Sequence, residues 1–503
     1  MSTRTTLVVA VLLAFFVMAA ISIPSGSKEA GKAEWTFMVF LNADNNLYEA
    51  ALWDINEMET AGSTSDVNII VLLDGPENGD SSILRVVNDD DEETIHSFPV
   101  DDRGKVIKGY EVNMGDPSTL KRFVKWVKNE YPASREVLVI WDHGSGVTGY
   151  GRKGFDLLFK GVSYDGTDGD YLTIPEIKDA LKKTKLDIIG FDACLMQMIE
   201  ISWLARNYAD FTVGSEELVP NEGWDYQVLN KLTENPDISP EEFSKEIVRA
   251  YGEYYGKGGS STQSAIDSKK LEPLVSAIDS LANILIKNIE RFSEDIESAR
   301  SLTHCYDNPY YIDLYDFAKN LEEETGDGKV KQGAREVMRL VSETVVAEVH
   351  ARDSKDSYGL SIYFPEQIWN FRAYYASADF LDFVSDSLWD EFLMAYYEAS
   401  SKQIELKTSK EVYKVNEPVK FKISNVGYKE IGGDLSLKIT LESQKIHESM
   451  IKDVKLQPSK SLYYSWRPES MPEGQFRPGD YTLSADLGGH TASTTFTIKE
   501  KTV

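Results

Sequence analysis

The chain has 503 residues, too many for a single hydrophobic core, so two or three domains are expected. Aspartate and glutamate number 82 against 53 lysines and arginines, which gives a formal net charge of −29. Because this charge repels a phosphate backbone and no strong basic patch interrupts it, the composition argues against nucleic-acid binding. The two cysteines, Cys194 and Cys305, are too few for a disulfide-stabilised scaffold, although one bridge between them is formally allowed.

The N-terminus is a targeting element. Arg4 precedes an apolar run that ends at Ile23. The run is long for a signal-peptide core and just short of a comfortable membrane span, so a cleaved signal peptide and an anchor through residues 5–23 both stay open. Either alternative places the rest of the chain outside the cytoplasm, secreted or at the cell surface. Residues 1–24 are assigned to this element and residues 25–33 to a linker.

Short apolar runs alternate with amphipathic segments from residue 34 onwards. Runs rich in β-branched and aromatic residues predict buried strands at 35–41, 67–73, 136–141, 186–191 and 211–215. Helices are predicted between them, at about 47–60, 116–129, 174–182 and 195–207. Asp44 or Asn45 is the expected N-cap of the first helix, and a cap and turn is favoured over catalytic use of residues 42–46. This alternation indicates a doubly wound, mostly parallel α/β sheet.

The second half of the chain changes texture twice. From about residue 225 to 354 it is mainly helical, with amphipathic stretches near 240–255, 270–297 and 333–350. A run at 358–365 predicts a further strand of the same sheet, and more helix follows over about 374–402. Short alternating segments separated by glycine and proline then indicate a β-sandwich of the immunoglobulin type. The expected organisation is an α/β domain with helical additions over 34–402 and an all-β domain over 403–503.

Two of the predicted strands end in reactive side chains. His143 lies in Asp142-His-Gly-Ser-Gly146, after the 136–141 run, and Cys194 follows the 186–191 run. Because reactive groups of open parallel sheets lie just beyond the carboxyl ends of the strands, His143 and Cys194 are expected to face each other at one edge. Both the histidine and a helix predicted to begin directly after Cys194 would raise its thiolate fraction. Cys305 is expected to be a partly buried thiol.

This combination of residues defines acyl transfer from an amide or ester. His143 would act as the base and Cys194 as the nucleophile, while the N–H groups of Cys194 and Gly144 would stabilise the oxyanion. A structural cysteine after a strand is common, and the paired His-Gly-Ser-Gly motif favours catalysis over it. The alternative is a catalytically silent surface binding module. A metallopeptidase is disfavoured because no His-Glu-x-x-His occurs, and a serine hydrolase because the strand-end glycines and serine do not form Gly-x-Ser-x-Gly.

The two strand-end motifs, Asp142-His-Gly-Ser-Gly146 and Asp192-Ala-Cys-Leu-Met196, closely resemble those of the clostripain family of cysteine peptidases. Segments 43–47, 311–317 and 359–365 are also similar to that family, and the resemblance covers roughly residues 35–400. It implies a caspase-like fold and an endopeptidase that cleaves after arginine or lysine through a thioester acyl-enzyme. By this resemblance His143 is the general base and Cys194 the nucleophile.

The resemblance also implies a substrate pocket. In the family one acid lies two residues before the cysteine, at Asp192 here, and another lies in the loop after the following strand. This chain has Glu222 there, where the family more often has aspartate. A buried guanidinium or ammonium needs such acids. Trp224 is expected either to wall the pocket or to belong to the core, and Glu216 either to bind substrate or to be solvated.

Clostripain-like enzymes often mature by cutting themselves in the loop after the histidine strand. By the resemblance, self-cleavage is expected in the 150–160 loop, and Arg152, Lys153 and Lys160 suit the implied specificity. A glycine-rich exposed loop is where proteolysis concentrates. The expected partners are protein or peptide substrates, and a monomer is the simplest expectation.

A link to calcium is also implied by the resemblance. Asp165, Asp168 and Asp170 are clustered acids that could hold the ion. Their spacing fits no known calcium loop, so a polar turn before the predicted cap at Thr173 is the favoured interpretation.

Overall fold

The computed structural model describes residues 32–91, 93–100, 110–149, 161–256, 258–400, 404–415, 417–426, 430–467 and 478–499. The predicted leader and the self-cleavage candidates Arg152, Lys153 and Lys160 lie outside the described residues. Within those residues, no helix is long and apolar enough to cross a membrane.

The strands up to residue 363 belong to a large sheet and two small ones. They are β1 (Ala33–Asn42), β2 (Val67–Asp74), β3 (Ser82–Arg85), β4 (Phe98–Val100), β5 (Ala133–Trp141), β6 (Val162–Asp165), β7 (Asp170–Leu172), β8 (Leu186–Asp192), β9 (Ala209–Gly214), β10 (Thr262–Asp267), β11 (Tyr311–Asp313), β12 (Val345–His350) and β13 (Ser361–Tyr363). The large sheet has the order β12-β10-β9-β8-β5-β1-β2-β3-β4. Its strands β9, β8, β5, β1 and β2 run parallel, whereas the outer strands on both sides run antiparallel. The predicted doubly wound, mostly parallel sheet is confirmed.

Helices cover both faces of this sheet. They are α1 (Tyr48–Ala61), α2 (Pro117–Glu130), α3 (Ile174–Leu181), α4 (Ile199–Ala205), α5 (Asn230–Glu234), α6 (Pro240–Tyr255), α7 (Leu271–Ile286), α8 (Ile289–Leu302), α9 (Leu314–Glu324), α10 (Gly328–Thr344), α11 (Asp382–Asp386) and α12 (Trp389–Ser400). Successive side chains of a strand point to opposite faces, so Phe37 and Val39 of β1 pack in one core with α1 and α6. Met38 and Phe40 pack in the other core with α2, α3 and the helices after β10.

Three sequence-based assignments in the second half of the α/β part were wrong. Residues Thr262–Asp267 form β10, which the sequence did not reveal because four of its six residues are polar. The helix predicted to reach residue 350 ends at Thr344, and β12 follows it and pairs antiparallel with β10. The strand predicted at 358–365 does not join the large sheet, because β13 pairs with β11 in a separate two-stranded sheet.

The C-terminal part is all β, as predicted. Its strands are β14 (Ile404–Thr408), β15 (Val412–Lys414), β16 (Val419–Asn425), β17 (Ile431–Leu441), β18 (Gln444–Leu456), β19 (Ser461–Trp466), β20 (Gly479–Leu487) and β21 (His490–Lys499). They form sheets of three and five strands that share one apolar core, to which Phe421, Leu437 and Phe496 contribute. None of the described residues of this core belongs to the two cores of the α/β part. The immunoglobulin-like character and the boundary at residue 403 stay predictions.

Candidate functional site

The register between β5 and β8 places the two predicted reactive residues side by side. Trp141 at the end of β5 pairs with Asp192 at the end of β8. The two strands stay joined one residue further, because the backbone N–H of Asp142 donates to the carbonyl oxygen of Asp192 at 3.2 Å. His143 and Cys194 each lie two residues beyond the paired positions. They therefore leave the sheet at the same level on adjacent strands.

Gly144 lets the two strand ends come into contact. A Cβ atom at this position would overlap the carbonyl oxygen of Cys194 and come within 3.0 Å of the Cys194 backbone nitrogen. A glycine is needed here because the backbones approach each other closely, rather than because of its own dihedral angles. The predicted proximity of Gly144 to Cys194 is thus present in the structure.

His143, Cys194 and Asp192 line one small cleft, together with the segment around Val219 to Gly223. Only 7% of Cys194 is exposed, whereas His143 is half-buried. The Cys194 Sγ accepts a hydrogen bond from the Val219 backbone N–H at 3.3 Å, and its thiol donates to the Val219 carbonyl oxygen at 3.7 Å. An N–H group aimed at the sulfur favours negative charge on it.

The helix predicted to begin directly after Cys194 does not begin there. Helix α4 starts at Ile199, and residues 195–198 are not helical. Leu195 has a φ of 63°, in the left-handed region, and its N–H donates to the Glu217 carbonyl oxygen at 3.1 Å. This conformation breaks the helical path immediately after the cysteine. The helix N-terminus therefore does not contribute to the electrostatics of Cys194.

Asn46 contacts the candidate site, although the sequence analysis favoured a cap and turn over catalytic use for residues 42–46. Its Oδ1 lies 2.9 Å from His143 Nε2. The adjacent Asn45 donates from Nδ2 to Asp142 Oδ1 at 2.8 Å, and the predicted N-cap role of Asp44 or Asn45 was wrong because α1 has Leu47 at its N-cap. The available signal was the position of the Asn-Asn pair, which follows a parallel strand at the same sheet edge as His143.

Asp192 is a buried carboxylate whose hydrogen bonds are only partly satisfied. Its Oδ2 accepts from the Trp224 N–H at 3.0 Å and from the Tyr226 hydroxyl at 3.1 Å. Its Oδ1 is buried without a hydrogen-bond partner among the described residues. Burial raises the pKa of Asp192 to about 7, although these two donors oppose the shift. The carboxyl is thus poised to ionise when a cationic group enters the cleft.

Two further acids from α1 approach Asp192, and the sequence analysis did not identify them. Asp54 is fully buried and accepts from the Trp141 indole N–H at 2.6 Å. Burial first, and then the charge of Asp192, raise the Asp54 pKa well above its usual value. Glu57 contributes to raising the pKa of both residues. The acids of α1 and Asp192 therefore disfavour one another's ionisation.

The other predicted pocket residues, Glu222, Trp224 and Glu216, differ in their exposure and in their distance from the cleft. Glu222 is exposed, and its neighbours Asn221 and Gly223 line the cleft. Trp224 is only 2% exposed and belongs to the core, so of the two alternatives its structural one holds. Glu216 is buried outside the cleft, where its carboxylate accepts from the Tyr306 hydroxyl at 2.6 Å and the Gly359 N–H at 3.2 Å. Its position corrects the expectation that it is solvated or binds substrate.

Asp165, Asp168 and Asp170 do not form one group, and residues 166–169 form a turn, in line with the favoured interpretation. Asp168 is exposed, and Asp170 accepts from the Asn113 side chain at 3.0 Å. Asp165 instead lies with Asp44 and Asp74 in a group whose carboxylate oxygens are all within 4.8 Å of one another.

The structure shows both cysteines as free thiols and differs from the sequence analysis in the exposure of Cys305. Cys194 and Cys305 are not joined by a disulfide, so Cys194 stays available as a thiol. Cys305 is exposed, and the expectation that it is partly buried was wrong.

Comparisons with known proteins assign the chain to one family. The model of the clostripain family, Peptidase C11, matches residues 39–398. Clostripain of Hathewaya histolytica is 28% identical over 422 residues, which make up 71% of this chain and 79% of that protein.

Solved structures show the same fold. A secreted C11 cysteine protease from Bacteroides thetaiotaomicron, in complex with an irreversible peptide inhibitor, is 22% identical with a TM-score of 0.54, covering 71% of this chain and 100% of that chain. An inactive zymogen C11 protease from Parabacteroides distasonis is 21% identical with a TM-score of 0.53, covering 71% of this chain and 98% of that chain.

The contact at Gly144 can be tested without any assumption about activity. In Gly144→Ala the added methyl group must displace the Cys194 backbone, so we expect a loss of about 1–3 kcal/mol in unfolding free energy. Alkylation of Cys194 by iodoacetamide, followed by mass spectrometry in a Cys305→Ser background, should also change in rate. Gly326→Ala is the matched control, because a Cβ there meets nothing within 4 Å. Equal stability and equal alkylation in both variants would contradict the close contact.

Proposed function

Because the chain belongs to the clostripain family and is a cysteine endopeptidase acting on proteins or peptides, we propose that it cleaves after arginine or lysine with Cys194 as nucleophile and His143 as general base. The observation that carries this proposal is the cleft in which His143, Cys194 and the buried acid Asp192 meet. One peptide bound in this cleft would therefore contact the nucleophile, the base and the acid that binds a cationic side chain.

The proposed reaction begins with transfer of the Cys194 thiol proton to His143. Asn46 Oδ1 accepts a hydrogen bond from His143 Nε2–H, which fixes the ring and leaves Nδ1 as the basic nitrogen. The thiolate attacks the scissile carbonyl carbon, and the N–H groups of Gly144 and Cys194 stabilise the oxyanion. The imidazolium then gives its proton to the leaving amine, a thioester remains on Cys194, and water hydrolyses it with His143 again as base.

The preference for a cationic residue is assigned to Asp192. Its unpartnered Oδ1 can accept a guanidinium or ammonium N–H, and a cation there would offset the repulsion of Asp192 by the α1 acids Asp54 and Glu57. Glu222 lies on the exposed side of the same loop and would approach the cation from the solvent. A neutral side chain would leave the buried acids without compensation, so cationic residues are favoured.

Fluorogenic peptides ending in Arg, Lys, Asp or Ala test the dyad and the specificity together. We expect turnover of the Arg and Lys peptides only, and a loss of at least about 10³-fold in kcat for Cys194→Ala and His143→Ala, because each removes a group used in bond making. Cys305→Ser is the control and should retain full activity, since Cys305 lies outside the cleft. Absence of turnover with every peptide, even after proteolytic nicking of the 150–160 loop, would favour the catalytically silent module.

The role of Asp192 predicts a specific pH dependence. Asp192 is neutral below its pKa of about 7 and ionised above it, so only the higher pH favours a cationic substrate. We expect the ratio of kcat/KM for an arginine peptide to that for its neutral citrulline analogue to rise with pH and to level off above about 7. Because both peptides use the same dyad, its titration cancels in the ratio.

The Asp192→Asn variant is the control for this pH dependence. Its ratio should be about 10- to 100-fold lower at pH 8 and should not vary with pH, because the lost contact is a charge-assisted hydrogen bond. Asp54, Glu57 and Tyr226 also interact electrostatically with Asp192. A pH-dependent ratio that persists in Asp192→Asn would therefore assign the selectivity to one of them.

We also propose that the protein is exported, acts as a monomer, and cuts itself at Arg152, Lys153 or Lys160. Wild-type protein is expected to show two fragments by intact-mass analysis, whereas Cys194→Ala should show one chain, because the dyad performs the cut. Replacing all three basic residues by glutamine should keep an active protein intact at this loop. The same intact mass for wild type and Cys194→Ala would exclude self-cleavage.

A further inference from the structure

A cavity lies between helix α2 and the outer strands of the large sheet, apart from the cleft. It is lined by residues of β2, β3, β4 and α2 and by two residues between these elements, Ser81 and Tyr110. None of its lining residues lines the cleft that contains His143 and Cys194. Its volume of about 320 Å³ is at the lower end of the range for small-molecule sites.

The walls of this cavity are largely apolar. Leu72 from β2 and Phe123 from α2 are buried there. The strands β3 and β4 add three half-buried residues, Ile83, Pro99 and Val100. An apolar ligand would therefore be covered by the sheet on one side and by α2 on the other, and its transfer from water would favour binding.

Helix α2 also presents hydrogen-bond donors to the cavity. Thr119, Arg122 and Trp126 are spaced three and four residues apart, so they lie on one side of the helix, and all three line the cavity. The Arg122 guanidinium donates to the Thr119 hydroxyl at 3.3 Å, which holds it at the cavity wall. Among the ion pairs between described residues, none includes Arg122. Its charge is therefore available to an anionic ligand.

The indole of Trp126 supplies a second donor. Its Nε1–H is buried and has no hydrogen-bond partner in the part of the chain that the structure describes. The ring is held by a T-shaped contact with Tyr131, with the centroids 5.7 Å apart. Buried polar groups nearly always have a partner, and an indole N–H can only donate. An acceptor atom bound in the cavity would supply the partner that the protein itself does not.

The charge of the cavity is opposite to that of the whole chain. The formal net charge of the chain is −29, yet none of the described residues that line the cavity is acidic. Arg122 is the charged side chain among them, and the other polar ones carry hydroxyl groups: Ser81, Ser82, Tyr110 and Thr119. A carboxylate would meet donors here without repulsion, and the planar guanidinium matches its two oxygens.

We propose that this cavity binds a small organic acid in which a carboxylate is joined to an apolar body such as an aromatic ring. The carboxylate accepts hydrogen bonds from the Arg122 guanidinium and the Trp126 indole N–H. The apolar body lies against Phe123 and the side chains from β2, β3 and β4. The site uses neither His143 nor Cys194, so the proposal is independent of the proposed function.

The binding test uses the full-length Cys194→Ala variant and naphthaleneacetate as the probe. Titration calorimetry should show one site per chain. Naphthaleneacetamide has the same shape but no charge, and it should bind at least about tenfold more weakly, because its hydrogen bonds to Arg122 are not assisted by charge.

Three substitutions in α2 locate the site. Arg122→Gln should weaken binding of the acid at least about tenfold and remove the preference for the acid over the amide. Trp126→Phe keeps an aromatic ring but removes the N–H, and it should weaken binding of the acid at least about threefold. Lys125→Gln is the matched control, because it removes the same charge from an exposed position of the helix that does not line the cavity. It should change the affinity less than about twofold. Circular dichroism melting checks that each variant is folded.

Absence of binding of naphthaleneacetate, or equal affinity for the acid and the amide, overturns the proposal. Unchanged affinity in folded Arg122→Gln also overturns it, and an equal loss in Lys125→Gln would show general attraction to the basic helix surface instead of a site. The tripeptide Ala-Ala-Phe carries a carboxylate and an aromatic ring on a longer body. Tighter binding of this peptide than of naphthaleneacetate would overturn the assignment to a small acid in favour of a peptide C-terminus.

Discussion

The pairing of β5 with β8 is the constraint on which the site depends. Parallel register sets Trp141 against Asp192, and the backbone bond from Asp142 to Asp192 carries it past the strand ends. His143 and Cys194 each lie two residues beyond the paired positions Trp141 and Asp192. Because Gly144 has no side chain, the two backbones can come into contact there. A one-residue slip of either strand would turn its side chains to the opposite face of the sheet. The relative placement of His143 and Cys194 is therefore fixed by backbone hydrogen bonds between these two strands.

The same sheet edge collects buried acids, and they divide into two groups around the dyad. Asp192 and Asp54 lie under the cleft, while Asp74 and Asp165 lie behind the loop that reaches His143. Burial raises the pKa of the carboxyls in both groups, so each group is more stable neutral than charged in the absence of a cation. Under the proposed function, a cationic side chain of the substrate would compensate the first group.

The sequence predicted what depends on local patterns and missed what depends on distant contacts. The apolar runs of β1, β2, β5 and β8 and the strand-end motifs were sufficient to predict the parallel sheet and the position of His143 and Cys194 at one of its edges. The contacts of Asn46 with His143 and of Asp54 with Trp141 were not predicted, because the partners lie 97 and 87 residues apart in the chain. The helix after Cys194 was placed too early because Leu195 adopts a positive φ, a conformation that its side chain does not predict.

The positive φ of Leu195 allows backbone contacts that a regular helix at this position would not allow. In a helix that began at residue 195, the backbone groups would bond to one another in the i→i+4 pattern. Here the Leu195 N–H instead donates to the Glu217 carbonyl oxygen, and the Gln197 N–H donates to the Ser215 carbonyl oxygen. These bonds tie the segment after the nucleophile to the segment after β9, whose continuation carries Val219 to the Cys194 sulfur. Left-handed backbone at a leucine costs about 1 kcal/mol or more. The path that follows from this conformation brings the Val219 backbone N–H to 3.3 Å from the Cys194 sulfur.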